Sequence, residues 1–328
     1  MRVLITGITG FVGSHLADYL LAEQPEADVH GLKRWRSPMG NLSAVVDRVT
    51  LHDGDLRDLS SLITVLKRVR PEIIFHLAAQ SFVTTSYTAP ADTMDTNVTG
   101  TVNLLEAVRI CELNPVIHIC SSSEVYGQVG REEVPITETC PLRPVSPYAV
   151  SKVGEDMAAW MYFRAYGLKT IRSRMFTHSG PRRGEVFVDS FFALQVARIE
   201  QGLQPPVLRV GNLDSVRTFC DVRDTVRAYW LLVTRCQPGE VFNIGGTTTM
   251  TIREMLELLL GMTTHKGKIE VQVDPALIRP ADVTLQIPSA EKFKQATGWE
   301  PRIPYPQTLR DMLDYWRDQI GHGVPARV

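Results

Sequence analysis

The chain has 328 residues, of which 44% are hydrophobic and 22% charged, and its 35 Lys and Arg against 36 Asp and Glu give a formal net charge of −1. This balance argues against a polybasic surface, so we expect neither a nucleic acid nor a membrane as partner. Five scattered Cys without a CxxC pair predict a reduced, cytoplasmic protein without a structural metal site. The sequence also lacks an apolar run of membrane-spanning length and a signal-peptide pattern at its N-terminus.

Short apolar strands alternate with helices in the first half of the chain. Strands are predicted at Arg2–Thr6, Asp28–Leu32, Glu72–Leu77 and Val116–Cys120, and helices from Ser14, over Leu62–Arg68 and over Val98–Cys111. This alternation predicts an α/β fold with a Rossmann-type, doubly wound parallel sheet. After about residue 175 Pro and Gly become frequent, which predicts a first domain over 1–175 and a smaller, mixed α/β C-terminal lobe over 176–328. We expect some segments of the later half to return to the first domain.

Three glycines separate the first strand from the first helix. Gly7, Gly10 and Gly13 have the spacing that gives a tight turn, a close backbone approach to a pyrophosphate, and close helix–sheet packing. The helix N-terminus then offers unpaired N–H groups to phosphates. The sequence therefore predicts a dinucleotide site at this turn.

The loop after the second strand indicates which dinucleotide binds. NAD enzymes usually carry Asp or Glu here, whereas Arg34 and Arg36 suit the 2′-phosphate of NADP. We therefore predict NADP, with NAD as the alternative cofactor and a solvated basic loop as the alternative interpretation. Asp55 is a candidate acceptor for the adenine amine. Other residues predicted to contact the cofactor are Thr9, Phe11, Val12, Leu56, Leu77, Ala78 and Ala79.

A phenol and an ammonium lie four residues apart at Tyr148 and Lys152, on one face of a predicted helix. The cation is expected to lower the pKa of Tyr148 towards neutrality, so that the phenol exchanges a proton with a sugar hydroxyl. Ser122 follows the strand Val116–Cys120, at the sheet edge where doubly wound folds bind ligands. Its hydroxyl is a candidate to hold the reacting oxygen.

Together these motifs resemble the extended short-chain dehydrogenase/reductase superfamily over essentially the whole chain. Members of its nucleotide-sugar branch resemble this chain at His76–Phe82, Asn97, Gly100, Ser146–Tyr148 and Thr297–Pro301. The resemblance implies that the first domain binds NADP and carries the catalytic Tyr148 and Lys152. It implies that the later lobe binds a nucleotide sugar.

Two families of this branch match different segments. The GDP-mannose 4,6-dehydratases resemble the chain at His30–Arg34, Ala79–Val83, Ser121–Glu124, Pro181–Val188 and Arg279–Asp282. The GDP-6-deoxy-4-keto-mannose reductases, which give GDP-rhamnose, resemble it at Phe219–Asp224, Ala228–Leu232 and Gly298–Pro304. Both families imply a GDP-hexose substrate and a place in deoxysugar biosynthesis.

The dehydratase reaction requires groups that a ketoreductase does not need. After C4 is oxidised, a carboxylate must remove the C5 proton and the C6 hydroxyl must leave as water. Glu124 is the candidate base, and Ser123 resembles the residue that assists departure at C6. Ser122 and Glu124 would face the same way if the strand continued through them. We therefore expect a lyase, a GDP-mannose 4,6-dehydratase, with the reductase as the alternative.

Two departures from the dehydratase pattern concern the substrate pocket. Ser122 stands where these enzymes usually have Thr, and it keeps the hydroxyl. Thr177 replaces an Asn and so lacks the amide that would contact substrate. The stretch His178–Pro181 is more similar to the reductases.

The resemblance also implies how the substrate is held. Arg183, Arg217 and Arg279 are candidate partners of the diphosphate, and Asp282 suits guanine or ribose. The remaining candidate substrate contacts are Ser81, Thr177 and Val188. The superfamily implies a homodimer or homotetramer. An NAD-dependent 4-epimerase and a non-catalytic dinucleotide-binding protein remain alternatives, the first disfavoured by Arg34 and Glu124.

Overall fold

The structure, a computed structural model, describes residues 1–322. Its strands are β1 (Arg2–Thr6), β2 (Asp28–Lys33), β3 (Thr50–Asp53), β4 (Ile73–His76), β5 (Val116–Ser122), β6 (Lys169–Met175), β7 (His178–Ser179), β8 (Val207–Val210), β9 (Val216–Asp221), β10 (Val241–Ile244), β11 (Thr248–Thr251), β12 (Glu270–Val273) and β13 (Leu285–Gln286). Its α-helices are α1 (Phe11–Glu23), α2 (Leu59–Val69), α3 (Val83–Thr88), α4 (Pro90–Met94), α5 (Gly100–Ile110), α6 (Pro147–Tyr166), α7 (Val188–Glu200), α8 (Val222–Arg235), α9 (Ile252–Leu260), α10 (Glu291–Thr297) and α11 (Tyr305–Gly321). The end of the predicted C-terminal lobe, 323–328, lies outside the described residues.

The main sheet confirms the predicted doubly wound fold. Within residues 1–322, seven parallel strands follow the order β10-β6-β5-β4-β1-β2-β3. β2 and β3 are added on one side of β1, whereas β4, β5, β6 and β10 are added on the other, so the order reverses between β1 and β4. Ligands of doubly wound sheets bind at such a reversal, beyond the carboxyl ends of the strands.

Alternation along β1 explains why helices cover both faces of this sheet. Val3 and Ile5 pack in a buried core with α1 and α8, whereas Leu4 packs in a second core with α2, α5 and α6. Successive side chains of a strand point to opposite faces, so an unbroken apolar run requires cover on both sides. The strand is therefore central, and the turn that follows it lies at the reversal point.

The later half of the chain divides its elements between two regions. β10 completes the edge of the main sheet beside β6, while β9 forms a smaller sheet with β7, β11 and β13. The helices α7, α9 and α11 enclose a core of their own around Phe192, Leu256 and Leu309. Some later segments thus return to the main sheet, and the boundary at residue 175 stays a prediction.

The helix expected over Val98–Cys111 starts differently. α5 begins at Gly100, and a π-helical turn, Asp95–Thr99, precedes it. Asn97 in this turn binds Gln80 and Ser151 through its side chain, which connects the end of β4 to α6. None of the helices among residues 1–322 is both long and apolar enough to cross a membrane.

Candidate active site

A cleft of about 710 Å³ lies at the carboxyl end of the main sheet and extends into the later half of the chain. The predicted site residues that line it are Gly7, Thr9, Gly10, Phe11, Val12, Gly13, Arg34, Asp55, Leu56, Leu77, Ala78, Ala79, Ser81, Ser122, Ser123, Glu124, Tyr148, Lys152, Thr177, Arg183, Val188, Arg217, Arg279 and Asp282. Arg36 is not among the lining residues. Its guanidinium lies 4.4 Å from the ring centroid of Trp35, an exposed side chain.

The glycine turn presents bare backbone to the cleft. Gly7 has a φ of +73°, and a Cβ there would lie 2.9 Å from the Cα of Ala78. A Cβ on Gly13 would lie 2.2 Å from the carbonyl oxygen of Gly7. Gly10 is the N-cap of α1, so the first N–H groups of this helix face the cleft. This cradle, which any side chain would fill, fits the pyrophosphate of a dinucleotide.

Beside the turn, Asp55 is already bound to a cation. Its carboxylate lies 3.3 Å from Arg57, which also contacts Asp92 at 3.2 Å. Desolvation acts to raise the pKa of Asp55, and hydrogen bonds and charge from Arg57 outweigh it, so the pKa is lowered. The sequence analysis missed Arg57, although the opposite charges two residues apart were a signal for a local ion pair.

Tyr148 and Lys152 lie on the first turns of α6, as predicted. Ser146 caps this helix by accepting a hydrogen bond from the Ala149 N–H at 3.0 Å, and Pro147 occupies its first turn. Both side chains are buried, and the Lys152 Nζ lies 5.9 Å from the Tyr148 ring centroid. The cation is therefore beneath the phenol, where its charge acts on the phenol's proton.

The expectation of a lowered phenol pKa is wrong for the protein alone. Burial raises the pKa of Tyr148 to about 12, and Lys152 and a hydrogen bond with Ser122 only partly oppose it. Glu155, which was not among the predicted site residues, accepts a hydrogen bond from Nζ at 3.0 Å, and its charge also raises the pKa of Tyr148.

The strand that carries Ser122 ends at that residue. A short 3₁₀-helix, Ser123–Tyr126, follows, so the condition for Ser122 and Glu124 to share a strand face is not met. Instead the Ser122 Oγ accepts a hydrogen bond from the Glu124 N–H at 3.2 Å, which leaves the hydroxyl proton to donate. Both side chains still line the cleft, because the helical turn brings Glu124 back towards Ser122.

Gln286 is a second residue that sequence analysis missed. It lies on β13, is 3% exposed, and its Nε2 is 3.4 Å from the Glu124 Oε1. Its register partner on β9 is Arg217, whose charge also acts on Glu124. A single Gln on a two-residue strand gives no sequence signal, since its partner is 162 positions away.

Two of the three predicted arginine anchors are bound within the protein. Arg183 lies 3.1 Å from the buried Asp189, and Arg217 lies 3.7 Å from Asp282 and donates to the Val283 carbonyl. Burial lowers the pKa of Arg217. Asp282 also accepts hydrogen bonds from Asn212 at 2.8 Å and Ser215 at 2.9 Å, two lining residues that sequence analysis missed.

Comparisons with known proteins identify the family. Residues 4–312 match the family model described as GDP-mannose 4,6 dehydratase. A GDP-mannose 4,6-dehydratase of Vibrio cholerae is 35% identical, with 95% of this chain and 92% of the relative covered. The chain belongs to the GDP-mannose 4,6 dehydratase family. It is an enzyme of the extended short-chain dehydrogenase/reductase type, as the motifs indicated.

Reductases of the same branch are similar as well. A GDP-6-deoxy-D-mannose reductase of Pseudomonas aeruginosa is 33% identical, covering 97% of this chain and 98% of the relative. The solved structure of RMD from Pseudomonas aeruginosa complexed with NADPH has a TM-score of 0.85 at 33% identity, with 97% and 99% of the two chains covered. The comparisons are therefore compatible with two reactions, dehydration and ketone reduction, and the residues of the site must distinguish between them.

Proposed function

We propose that this enzyme dehydrates GDP-mannose to GDP-4-keto-6-deoxymannose, with NADP as its cofactor. The observation that carries the proposal is one cleft lined by a hydroxyl, a phenol above an ammonium, and a carboxylate: Ser122, Tyr148, Lys152 and Glu124. Reduction of a ketone requires the first three groups. Dehydration also requires a base, which the carboxylate supplies.

The cofactor proposal rests on the glycine turn and the loop after β2. The N–H groups at the start of α1 would bind the pyrophosphate, and Arg34 would bind the 2′-phosphate. When bound, NADP would supply the hydride acceptor for C4 of the sugar and the hydride donor for C6. The similar reductase structure from Pseudomonas aeruginosa is described as an NADPH complex.

Tyr148 and Ser122 would act on the C4 hydroxyl. The Ser122 hydroxyl holds the reacting oxygen, and Tyr148 takes its proton as the alcohol becomes a ketone. Lys152 stabilises the phenolate and binds the nicotinamide ribose. Since Tyr148 and Lys152 are 8% and 5% exposed, this proton transfer is shielded from bulk water.

Glu124 and Ser123 would carry out the elimination. The C4 ketone acidifies the C5 proton, which Glu124 removes, and the C6 hydroxyl leaves as water with assistance from Ser123. Gln286 orients the carboxylate from the opposite wall at 3.4 Å. The net loss is one water, made of the C6 hydroxyl and one proton: C5 regains a proton through Glu124 as the hydride returns to C6, and the proton that Tyr148 took from the C4 hydroxyl balances the one lost.

The substrate proposal places the nucleotide against the later half of the chain. Arg183, Arg217 and Arg279 provide positive charge for the diphosphate, and Asp282 faces guanine or ribose. Ser81 and Thr177 would contact the sugar, while Val188 packs on the base.

The experiment is incubation of purified protein with GDP-mannose and NADP without added reductant. We expect a product lighter by one water, detected by mass spectrometry. Glu124→Gln should abolish dehydration while C4 oxidation in a single turnover persists; full dehydration by this variant would exclude Glu124 as the base.

The reductase is the second candidate, favoured by the 33% identity to the Pseudomonas aeruginosa reductase. It predicts no reaction with GDP-mannose and consumption of NADPH with GDP-4-keto-6-deoxymannose. Both substrates are therefore assayed side by side.

We also propose a homodimer formed through α6. Val150, Met157, Trp160 and Met161 on this helix are each about two-fifths exposed, which is unusual for large apolar side chains that follow one another along one helix. Light scattering should give twice the chain mass, and Trp160→Glu should give the monomer mass.

A further inference from the structure

A buried carboxylate lies one helical turn beyond Lys152. Glu155 is 1% exposed, and its Oε2 lies 3.0 Å from the lysine Nζ. The reaction steps above give it no role. Burying an ionised carboxylate costs free energy unless hydrogen bonds and an opposite charge compensate for the lost water. The contacts of Glu155 therefore decide whether its charged form is stable.

Two of the three N–H groups of Lys152 are directed into the protein. Nζ donates to the Cys120 carbonyl oxygen at 3.0 Å and to Glu155 at 3.0 Å. A lysine side chain is otherwise flexible, with three donors that rotate freely. These two contacts fix the ammonium beneath the Tyr148 ring and leave its third proton directed elsewhere.

The second oxygen of Glu155 distinguishes this residue from its neighbour. Among residues 1–322, no donor lies within hydrogen-bond distance of the buried Oε1. In Asp156, the next residue, both oxygens accept hydrogen bonds at 2.9 Å, from Arg172 and Arg174. Asp156 therefore forms a closed structural ion pair, whereas Glu155 keeps one oxygen that can take up a proton.

We propose that Glu155 is a positioning residue that controls how strongly Lys152 acts on Tyr148. When ionised, Glu155 balances the lysine's charge and keeps the proton on the phenol. When Oε1 is protonated, the charge of Lys152 acts on Tyr148 in full and favours the phenolate. The proposal rests on the proposed function only in treating Tyr148 as the proton-transfer group.

Among the charged groups of residues 1–322 that surround Glu155, Lys152 is the cation within hydrogen-bond distance of its carboxylate. The titratable and charged groups on α6 and on the elements packed around this pair are Tyr148, Asp156, Tyr162, Arg164, Tyr166, His76, Tyr87, Asp92, Asp95, Glu106, Arg109, His118, Cys120, Glu124, Tyr126, Lys169, Arg172, Arg174 and Tyr229. Burial lowers the pKa of both His76 and His118 to about 3, so both are neutral at working pH. Burial raises the pKa of the Cys120 thiol and the Tyr229 phenol, which are neutral as well.

The direction of each pKa shift agrees with this arrangement. Burial raises the pKa of Glu155 to about 7, opposed by the charge of Lys152. For Tyr148, burial raises the pKa, Lys152 lowers it, and Glu155 raises it. Removing the charge of Glu155 must therefore lower the pKa of Tyr148.

The first test is the ionisation of Tyr148 in Glu155→Gln, which keeps the shape of the side chain. Tyrosinate absorbance is recorded directly after a pH jump, before the alkaline protein unfolds, with NADP bound and no substrate. Subtracting the same titration in a Tyr148→Phe background isolates Tyr148. We expect its midpoint to fall by about one pH unit relative to wild type. An unchanged or raised midpoint would overturn the proposal.

The second test is the pH profile of kcat/KM. We expect the acid limb of Glu155→Gln to move to lower pH and that of Glu155→Asp to lie between it and wild type. Asp156→Asn is the matched control, since it removes a neighbouring buried carboxylate that does not contact Lys152. It should lower the unfolding temperature without moving the acid limb; an equal shift in both variants would show a merely structural role.

A measurement on the wild-type protein keeps the proposal testable if Glu155→Gln does not fold. Carboxyl ¹³C resonances, with Glu155 assigned through Glu155→Asp, should contain one that titrates near pH 7. Titration of Glu155 below about pH 5, with ordinary carboxylates, would overturn the proposal. Neither spectroscopic test uses substrate. Absence of turnover with GDP-mannose would therefore count against the proposed function, and unshifted titrations in an active enzyme would count against this inference.

Discussion

The cofactor side and the substrate side of the cleft present different kinds of surface. At the glycine turn the surface is backbone, and a Cβ on Gly7 or Gly13 would meet other backbone atoms at 2.9 or 2.2 Å. On the opposite side, Arg183, Arg217 and Asp282 present side chains that are already bound to one another or to neighbours. The first surface depends on the absence of side chains, and the second depends on their pairing.

The two sides of the cleft tolerate different substitutions. The turn from Gly7 to Gly13 is so tight that a side chain at either glycine would overlap other backbone atoms. Its backbone N–H groups therefore suit one kind of ligand group, a phosphate. Paired side chains can exchange an internal partner for a ligand, which permits the substrate side to differ between a dehydratase and a reductase. Substitutions should therefore fail by steric overlap on one side and by loss of charge balance on the other.

The largest effect is expected for Gly13→Val, which should cost about 4 kcal/mol of unfolding free energy because the turn must move to avoid overlap. Urea unfolding measures this loss, and titration followed by NADPH fluorescence should show no binding. Gly40→Ala is the matched control, since a Cβ there meets nothing within 4 Å. Equal stability of Gly13→Val and wild type would contradict a turn defined by backbone overlap.

Arg183→Met tests charge balance on the substrate side. It leaves the fully buried Asp189 without its cation, which should cost about 3 kcal/mol and also raise KM for the nucleotide sugar. Arg279→Met provides the comparison, because Arg279 lines the same cleft on an exposed loop. We expect it to raise KM with stability within about 0.5 kcal/mol of wild type. A stable Arg183→Met protein would show that Asp189 does not require this partner.

The sequence was sufficient for the cofactor side because the requirement there is local. Gly7, Gly10 and Gly13 are separated by fixed spacings. A Cβ on Gly7 would overlap Ala78, just beyond the end of the adjacent strand β4, and a Cβ on Gly13 would overlap the Gly7 carbonyl. The predicted strands were right for the same reason, since an apolar run such as Val3–Ile5 requires cover on both faces.

The substrate side could not be predicted from spacing, because its pairs are distant in sequence. Arg217 and Val283 are 66 residues apart, and Glu124 and Gln286 are 162 apart. The lowered phenol pKa also failed for this reason. Periodicity placed Lys152 beneath Tyr148, but the competing effects of burial and Glu155 depend on how β5 and β6 pack against the helix.

Arg34→Glu tests whether the loop after β2 selects the cofactor. Loss of one charge-assisted contact and gain of repulsion should weaken NADP binding by about 30-fold, roughly 2 kcal/mol, and leave NAD binding nearly unchanged. Arg36→Glu is the control because its guanidinium lies over Trp35, away from the cleft. Calorimetric titration of both variants decides the matter. An equal effect of the two substitutions would assign the preference to overall loop charge.

The smallest effect is expected for Gln286→Leu, which removes the amide that orients Glu124 across the cleft. A single hydrogen bond of 3.4 Å, longer than most, contributes little, so kcat should fall about fivefold, near 1 kcal/mol, with KM unchanged. Solvent deuterium incorporation at C5 should slow by the same factor while single-turnover C4 oxidation keeps its rate. Gln195→Leu removes an equally buried amide of α7 that lies outside the cleft, so it controls for lost stability. If C4 oxidation and C5 exchange slowed together, Gln286 would act on the whole pocket, and the substrate side would be one charge-balanced unit rather than a set of separable contacts.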